Sequence, residues 1–254
     1  MGRAAFAFSQ RRGGVSTGPY ASLNLGFHVG DVEAAVAENR RRVLAALGLA
    51  DSRLVEAEQV HGGEVAVIDE EWLRRHQGPR SIAPGVDALV TRESDVALSL
   101  HFADCVPVFL TDREGQAIAL AHAGWRGTAA CAAANAVEMM ARHCGVTPRD
   151  LQAVIGPCVG PCCYEVGEEV AQAVLASLAQ PDRAGPMRGS DTRGQWFLDL
   201  AAINAQQLVA VGVPGEAIAV SGRCTCCERE VFFSVRGDGP ITGRCGAFAY
   251  LAPS

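Results

Sequence analysis

The fold of this 254-residue chain is decided by residues 99–127, SLHFADCVPVFLTDREGQAIALAHAGWRG. Two apolar runs, Val106–Thr111 and Ala117–Ala121, flank the turn sequence DREG. Polar residues followed by glycine between two apolar runs are typical of a hairpin turn. The segment therefore predicts two antiparallel strands.

This hairpin predicts that Cys105 meets His122. If Thr111 pairs with Gln116, then Cys105 pairs with His122, and directly opposed side chains have Cβ atoms about 4.5–5.5 Å apart. That separation suits two ligands of one zinc ion, but a register slip of one residue would put them on opposite faces. The hairpin leaves three interpretations open: a pair of metal ligands, a Cys–His nucleophile pair, or a contact without a role.

A third ligand is needed for a catalytic zinc site, which usually takes three protein ligands and keeps one position open. We predict His61, because it precedes two glycines whose backbone can bend to let a ligand approach. His101, four residues before Cys105, is the alternative. His28 sits between two glycines in NLGFHVGD and is predicted to line a pocket.

The segment GWRG, residues 124–127, predicts an anion site. Its glycines lead into a helix predicted to start with Thr128 as its cap, and the amides there, with Arg126, would attract phosphate. The alternative is an ion pair between Arg126 and a surface carboxylate. Asp104, beside Cys105, is predicted to orient a ligand, act as a base or pair with an arginine.

Composition excludes several functions. Apolar residues make up 49% and charged residues 20% of the chain, as in soluble globular proteins. The net charge of −6 argues against a nucleic-acid binder, and NRRR at 39–42 is interpreted as a solvated helix face. All 22 basic residues are arginine, which excludes a Schiff-base or P-loop lysine. No apolar run approaches a membrane span and no signal-peptide core is visible, so we expect a cytoplasmic protein without a membrane partner.

Ten cysteines are expected to stay reduced in that compartment. Six of them form two clusters: Cys158, Cys162 and Cys163, and Cys224, Cys226 and Cys227. A second metal site is conceivable from the spacing of Cys158 and Cys162. Because neither cluster contains histidine, we interpret these residues as free thiols near tight turns.

Hydrophobic periodicity predicts a mixed α/β fold. Four helices are predicted, at 33–48, 128–145, 165–180 and 199–212, the last with Asp199 as N-cap. Nine short strands are predicted: Val65–Ile68, Val86–Val90, Val96–Leu100, Val106–Thr111, Ala117–Ala121, Ala153–Ile155, Ala217–Val220, Val231–Ser234 and Phe248–Leu251. Arg80–Gly85 and Pro181–Gly194 are predicted to be loose. We expect residues 1–254 to form one α/β domain, α+β-like, around a mixed sheet with flanking helices.

Six segments together resemble the YfiH-like family. They are RRGGVSTGPYASLNLGFHVGD, QVHGGEV, ADCVPVFL, AHAGWRG, IGPCVGPCCYEVG and FFSVRGDGPITGR. The resemblance runs from about residue 9 to 251 in the family's order. Members are also called peptidoglycan editing factors, polyphenol oxidases or laccase-domain proteins, and purine nucleoside phosphorylases.

The resemblance implies a single domain similar to the cytotoxic necrotizing factor catalytic domain. It also implies one zinc ion, carried over to His61, Cys105 and His122. Copper could replace zinc in vitro, since copper binds such ligands more tightly. The family's TADC is FADC here, so that Phe102 replaces a small polar residue and should alter pocket polarity.

The activity that the resemblance implies is phosphorolysis of adenosine, inosine or S-methyl-5′-thioadenosine, with adenosine deamination as a side activity. In that role Arg126 and Arg12 would hold phosphate, and Asp104 would transfer a proton. Small molecules would be the only partners, and the oligomeric state, a monomer included, is left open.

Three other functions compete. A cysteine hydrolase, with Cys105 as nucleophile and His122 as base, would edit misincorporated amino acids in peptidoglycan precursors. A copper-dependent polyphenol oxidase fits less well, because one Cys/His/His site cannot pass four electrons to oxygen. A non-enzymatic metal-binding protein is the third.

Overall fold

The structure, a computed structural model, describes residues 4–178, 187–189 and 195–252. Within these ranges it contains fourteen strands in three sheets and seven α-helices. The strands are β1 (Ala4–Phe8), β2 (Arg53–Ala57), β3 (Val65–Ile68), β4 (Arg80–Ala83), β5 (Ala88–Thr91), β6 (Val96–Phe102), β7 (Val106–Asp112), β8 (Ile118–Ala123), β9 (Leu151–Ile155), β10 (Glu165–Gly167), β11 (Met187–Gly189), β12 (Gln195–Leu198), β13 (Ile218–Val220) and β14 (Cys245–Leu251). The helices are α1 (Glu33–Ala46), α2 (Glu70–Arg75), α3 (Trp125–Ala129), α4 (Ala132–Cys144), α5 (Glu168–Leu175), α6 (Leu200–Ala210) and α7 (Val235–Asp238).

Two large mixed sheets form the centre. The first sheet has the order β1-β14-β6-β2-β4, and the second has the order β13-β9-β7-β8-β5-β3. The predicted hairpin is present, since β7 and β8 are antiparallel neighbours in the second sheet. A third, small antiparallel sheet has the order β10-β12-β11, and its Leu198 packs in the same buried cluster as the second sheet. Strands that follow each other along the chain often lie in different sheets, so local pattern alone could not predict this order.

The two large sheets pack face to face between helices. Leu100 of β6 and Phe109 of β7 belong to the buried cluster between the sheets. The neighbours of Phe109 on its strand, Val108 and Leu110, join a second cluster with α4, α5 and α6. Because β7 is buried on both faces, its sequence is a continuous apolar run and does not alternate. Helix α1 packs against the outer face of the first sheet.

Local sequence signals predict two of the four helices well. Helix α1 covers most of the range expected for it. Asp199 caps α6 as predicted, because its carboxylate accepts the amide of Ala202 at 2.9 Å. The predicted helix at 165–180 is shorter at its start, since residues 165–167 form β10 and α5 begins at Glu168.

The predicted cap at Thr128 is wrong. Thr128 lies inside the short helix α3, is fully buried, and accepts a hydrogen bond from Asn204 at 3.0 Å. A left-handed residue, Cys131 (φ 57°), then separates α3 from α4. The Thr128 hydroxyl therefore bonds to helix α6 and does not cap the helix that the local sequence predicts.

Eight of the nine predicted strands are present, Val65–Ile68 with the predicted bounds and the other seven with shifted ends, and Val231–Ser234 is not a strand. Its aromatic side chains, Phe232 and Phe233, bury in a small cluster of their own while the backbone turns. The loose stretch expected at Arg80–Gly85 includes strand β4, which pairs with β2. The stretch Pro181–Gly194 lies outside the described residues except for β11.

The mixed α/β class with flanking helices is confirmed. Likeness to the cytotoxic necrotizing factor catalytic domain stays a prediction, as does the assignment of residues 1–254 to one domain. No helix in the described ranges is both long enough and apolar enough to cross a bilayer.

Candidate functional site

The candidate site lies at the end of the sandwich where the chain crosses from the first sheet to the second. The crossing from β2 to β3 carries His61, and the short crossing from β6 to β7 ends with Cys105. His122 arrives at the same end because β8 runs antiparallel to β7. The structure brings the three predicted ligands together, with their donor atoms within 4.8 Å of one another.

The hairpin register differs from the predicted one. Thr111 pairs with Ile118, and His122 lies opposite Pro107. The turn is longer than expected because the carboxylate of Asp112 accepts the amides of Gln116 and Ala117, both at 2.7 Å. The shift equals two residues, so side chains keep their faces and the predicted contact survives.

The absence of a side chain at Gly124 makes room for the side chains of the trio. With the observed register Gly124 follows β8 and lies beside Cys105. A Cβ at this position would lie 2.8 Å from Cys105 Sγ and 3.4 Å from Cδ2 of His61. A side chain is therefore excluded here by the close approach of Cys105 and His61.

Asp87 is a residue of the candidate site that the sequence pattern did not reveal. Its carboxylate lies 2.8 Å from Nδ1 of His122, and it accepts the amides of His61 at 3.0 Å and Gly62 at 2.6 Å. It is fully buried, directly before β5. One carboxylate thus holds the His61 loop and fixes His122 with Nε2 free for a ligand role. A single aspartate directly before a buried strand was the only sequence signal.

The trio is electrostatically coupled. Burial raises the pKa of the Cys105 thiol, but the neighbouring His122 and His61 outweigh burial and lower it to about 6. Burial lowers the pKa of His122, but Cys105 and Asp87 outweigh it and raise the pKa to about 9. The site therefore favours a thiolate at Cys105, the form that binds metal or acts as a nucleophile.

The donor set fits a metal ion. Two imidazoles and one thiolate are ligands that zinc prefers, and three protein ligands leave a fourth position open. Asp87 supplies the carboxylate that commonly supports a metal-binding histidine. The empty space at Gly124 and the left-handed backbone of His61 (φ 62°) allow the donors to approach each other. The trio is thus a candidate metal centre.

A large cavity opens over the trio. It has a volume of about 1100 Å³, and His61, Cys105 and His122 all line it. A cavity of this size accommodates a small organic ligand such as a nucleoside. Four arginines also line it: Arg40, Arg80, Arg236 and Arg244. The cavity therefore combines a metal-type donor set with two arginines, Arg236 and Arg244, that suit an anionic substrate, while Arg40 and Arg80 pair with Glu56.

One wall of the cavity carries a buried charge cluster. Glu56 contacts Arg40 Nη1 at 2.9 Å and also pairs with Arg80. His101, the rival ligand, lies here, 2.9 Å from Arg40 Nη2 and outside the trio. Burial lowers the pKa of His101 to about 3, so this histidine is uncharged. His28 lines the cavity as expected, with its ring centroid 6.4 Å from that of His101.

Asp104 is held by the fold. Its carboxylate accepts the hydroxyl of Thr225 and the backbone amide of Arg236, both at 2.6 Å. It is buried and adopts a left-handed backbone (φ 87°), which makes the corner between β6 and β7. Both carboxylate oxygens are engaged away from the trio, which favours a structural role over the predicted proton transfer.

The two predicted phosphate-binding arginines do not line the cavity. Arg126 is exposed, with its guanidinium 4.2 Å from the centre of the Trp125 ring. Arg12 pairs with Glu230 on the surface. Helix α3 has only five residues, and its buried ones are Gly127 and Thr128. The arginines of the cavity come from distant segments, and nothing in the local sequence singled them out.

Comparison with known proteins places the chain in a family. Residues 5–252 match the family model described as "Multi-copper polyphenol oxidoreductase laccase". "Purine nucleoside phosphorylase YlmD" of Geobacillus stearothermophilus is 42% identical over 96% of this chain and 89% of the relative. "Purine nucleoside phosphorylase YfiH" of Escherichia coli is 38% identical over 96% and 92%.

A further relative and a solved structure support the same family assignment. "Adenosine deaminase RL5", from an unknown prokaryotic organism, is 38% identical over 94% of this chain and 90% of its own. The crystal structure of YlmD from Geobacillus stearothermophilus superposes with a TM-score of 0.91 at 41% identity, covering 99% of this chain and 93% of the other. The chain therefore belongs to the YfiH-like, laccase-domain family that its sequence motifs resemble.

Proposed function

We propose that this protein is a zinc-dependent purine nucleoside phosphorylase, acting on adenosine, inosine or S-methyl-5′-thioadenosine, with adenosine deamination as a side activity. The observation that carries the proposal is the convergence of His61, Cys105 and His122 in a cavity lined by four arginines. The names of the relatives support the reaction class, and one of them supports the deaminase activity.

Different residues of the chain have different roles in the proposed reaction. His61, Cys105 and His122 would hold the zinc ion, which supplies Lewis-acid chemistry at an open coordination position. Asp87 keeps Nε2 of His122 directed toward the shared donor space. The walls of the cavity orient the nucleoside above the trio and exclude bulk water, which contributes positioning and electrostatic stabilisation.

Phosphate binding is assigned to Arg244 and Arg236, which replace the earlier expectation of Arg126 and Arg12. Both line the cavity, and Arg244 is near enough to Cys105 for the two charges to interact. Its Nη1 donates to the carbonyls of Thr242 and Gly243, which orients the guanidinium. A guanidinium fixed in this way presents a fork suited to phosphate.

The proposed reaction balances as a glycosyl transfer. A phosphate oxygen forms a bond to the sugar C1′ while the bond from C1′ to the purine nitrogen breaks. The electron pair of that bond stays on the nitrogen, which takes up the proton that the hydrogen phosphate ion gives up. The products are the free base and ribose 1-phosphate, or 5-methylthioribose 1-phosphate when the substrate is S-methyl-5′-thioadenosine. The arginines neutralise the phosphate during the approach.

The test combines metal content with turnover. Purified protein is assayed for bound zinc and incubated with adenosine with and without phosphate. We expect adenine release that requires phosphate and is lost in His61→Ala and Cys105→Ala. Slow inosine formation without phosphate would report the deaminase activity. Folded protein containing zinc that releases no base from any of the three nucleosides would contradict the proposal.

A cysteine hydrolase is the second candidate. The specific observation in its favour is that His122 and His61 lie beside the Cys105 thiol, outweigh its burial and lower the thiol pKa to about 6. A metal held by Cys105 would block this nucleophile. Full activity on an amide substrate in metal-free protein, abolished by iodoacetamide, would support the hydrolase and overturn the phosphorylase.

The polyphenol oxidase in the family's description receives less support from the donor set. A multicopper laccase uses several coppers, held mostly by histidine, to reduce oxygen. The chain has six histidines, and the trio contains two of them. Of the remaining four, His101 is committed to the charge cluster around Arg40 and Glu56.

A further inference from the structure

A second group of metal-type donors lies in the two cysteine clusters that were expected to be free thiols. Cys162 and Cys163 belong to the turn before β10, and Cys224 and Cys227 to the turn after β13. More than 60 residues separate the two turns in sequence, yet the four sulfur atoms lie within 4.8 Å of one another. The fold therefore gathers four thiols at one point.

The sulfur spacing matches a tetrahedral site. Zinc–sulfur bonds of about 2.3 Å in a tetrahedron place the sulfurs about 3.8 Å apart. Cys227 Sγ lies 3.4 Å from Cys162 Sγ and 3.5 Å from Cys163 Sγ. Cys224 and Cys227 also have the C-x-x-C spacing common among zinc ligands. Four sulfurs so arranged need only small adjustments to enclose one ion.

The backbone around the sulfurs supports a thiolate. The amide of Gly160 donates to Cys224 Sγ at 3.2 Å, and such hydrogen bonds commonly accompany metal-bound thiolates. A Cβ on Gly160 would lie 3.3 Å from both Cys162 Sγ and Cys224 Cβ. The turns are joined by a β-bridge between Cys158 and Cys224 and by the amide of Thr225, which donates to the carbonyl of Cys158 at 2.9 Å.

We propose that Cys162, Cys163, Cys224 and Cys227 hold a second, structural Zn²⁺ ion in a closed four-thiolate site. Unlike the trio, four protein ligands leave no open position, so this site stabilises and does not catalyse. All ten cysteines lie in the described part of the chain, and none is in a disulfide there. The inference goes beyond the proposed function and does not depend on it.

The position of the site indicates what the ion would stabilise. Thr225, between two of the ligands, donates its hydroxyl to Asp104, the residue that precedes Cys105. Arg236, which lines the cavity, donates from Nη1 to the carbonyl of Cys163 at 3.1 Å. An ion that joins the two turns therefore fixes one wall of the cavity and the corner beside the first metal ligand.

Metal stoichiometry tests the proposal on the full-length protein, purified under anaerobic, reducing conditions. We expect two zinc ions per chain in the wild type, and one in Cys162→Ser/Cys227→Ser. The matched control is Cys226→Ser, which changes the one cysteine of the second cluster outside the set and should retain two. Cys105→Ser should lose only the trio's ion, which separates failure of this proposal from failure of the proposed function.

A spectroscopic measurement does not depend on the double variant folding. Co²⁺-substituted Cys105→Ser protein should show the intense visible bands and thiolate charge-transfer absorption of a tetrahedral four-thiolate site. The absence of these bands would overturn the proposal. So would a wild-type mass, measured without reductant, that shows a disulfide among these cysteines in place of metal, or loss of an ion in Cys226→Ser.

Discussion

The carboxylate of Asp87 lies 2.8 Å from Nδ1 of His122 and also accepts the backbone amide of His61, so one buried side chain organises two members of the trio. The third member, Cys105, comes from a different crossing between the sheets. The trio therefore depends on an anchor outside its own motifs, and this dependence can be measured.

Asp87→Asn should weaken zinc binding without unfolding the protein. The amide nitrogen of asparagine would face backbone N–H groups that now donate to the carboxylate, and the support of His122 would lose its charge. Loss of such a partner typically lowers metal affinity about 10- to 100-fold. Chelator competition measures the affinity, with the exposed Asp51→Asn as control. Unchanged affinity in Asp87→Asn would contradict this role.

Gly124→Ala should displace the metal ligands while leaving the backbone unstrained. Its φ of −69° suits alanine, but the new Cβ would lie 2.8 Å from Cys105 Sγ. We expect zinc content and activity to fall together while the circular dichroism spectrum is retained. Gly167→Ala is the matched control, because a Cβ there meets nothing within 4 Å. A fully metallated Gly124→Ala protein would refute the steric explanation.

Arg244→Ala should raise the KM for phosphate about tenfold or more, and Arg126→Ala should leave it within a factor of about two. A hydrogen bond to a charged group contributes about 1.5–3 kcal/mol, which is about 10- to 100-fold in binding. Arg244→Lys keeps the positive charge but loses the forked guanidinium, so its KM for phosphate should lie between those of the wild type and Arg244→Ala. The KM for phosphate and the melting temperature are measured together. The opposite ranking of Arg126 and Arg244 would return the phosphate site to helix α3.

Glu56 should make stability depend on acid pH. Burial raises the pKa of its carboxyl, but the neighbouring His101, Arg40 and Arg80 outweigh burial and lower it. Because the folded pKa is depressed, the contribution is fully present above the unfolded pKa, about 4.3, and is lost as pH falls through the folded value. Urea unfolding across pH 7 to 3 should show this loss in wild type.

Glu56→Gln removes that contribution. The variant should lose about 3–5 kcal/mol at pH 7, because it leaves Arg40 buried without its counter-charge. Its stability should also fall less steeply with acid. Glu138→Gln, which breaks the exposed pair with Arg142, should change stability by no more than about 1 kcal/mol. Equal losses of stability in the two variants would show that the buried charge cluster stabilises the protein no more than an exposed ion pair does.

The predicted and observed hairpins illustrate how far sequence pattern reaches. The two apolar runs and the polar turn identified β7 and β8. The carboxylate of Asp112, however, accepts hydrogen bonds from two backbone amides, which lengthens the turn. The contact of Cys105 with His122 survived because the shift was even. Thr128 is not a helix cap, because the side-chain amide of Asn204, on another helix, donates a hydrogen bond to its hydroxyl. Errors of this kind arise where a distant side chain competes with a local signal.

The sequence by itself determined the apolar runs, the cap at Asp199, the family and the three candidate ligands that the structure brings together, because periodicity, capping and motifs are local properties of the chain. Only the tertiary structure decided the sheet order, the role of Asp87, the arginines of the cavity and the meeting of the two cysteine clusters. Each of these joins segments far apart in the chain. Such contacts are selected by the packing of two sheets against helices, which no local pattern specifies.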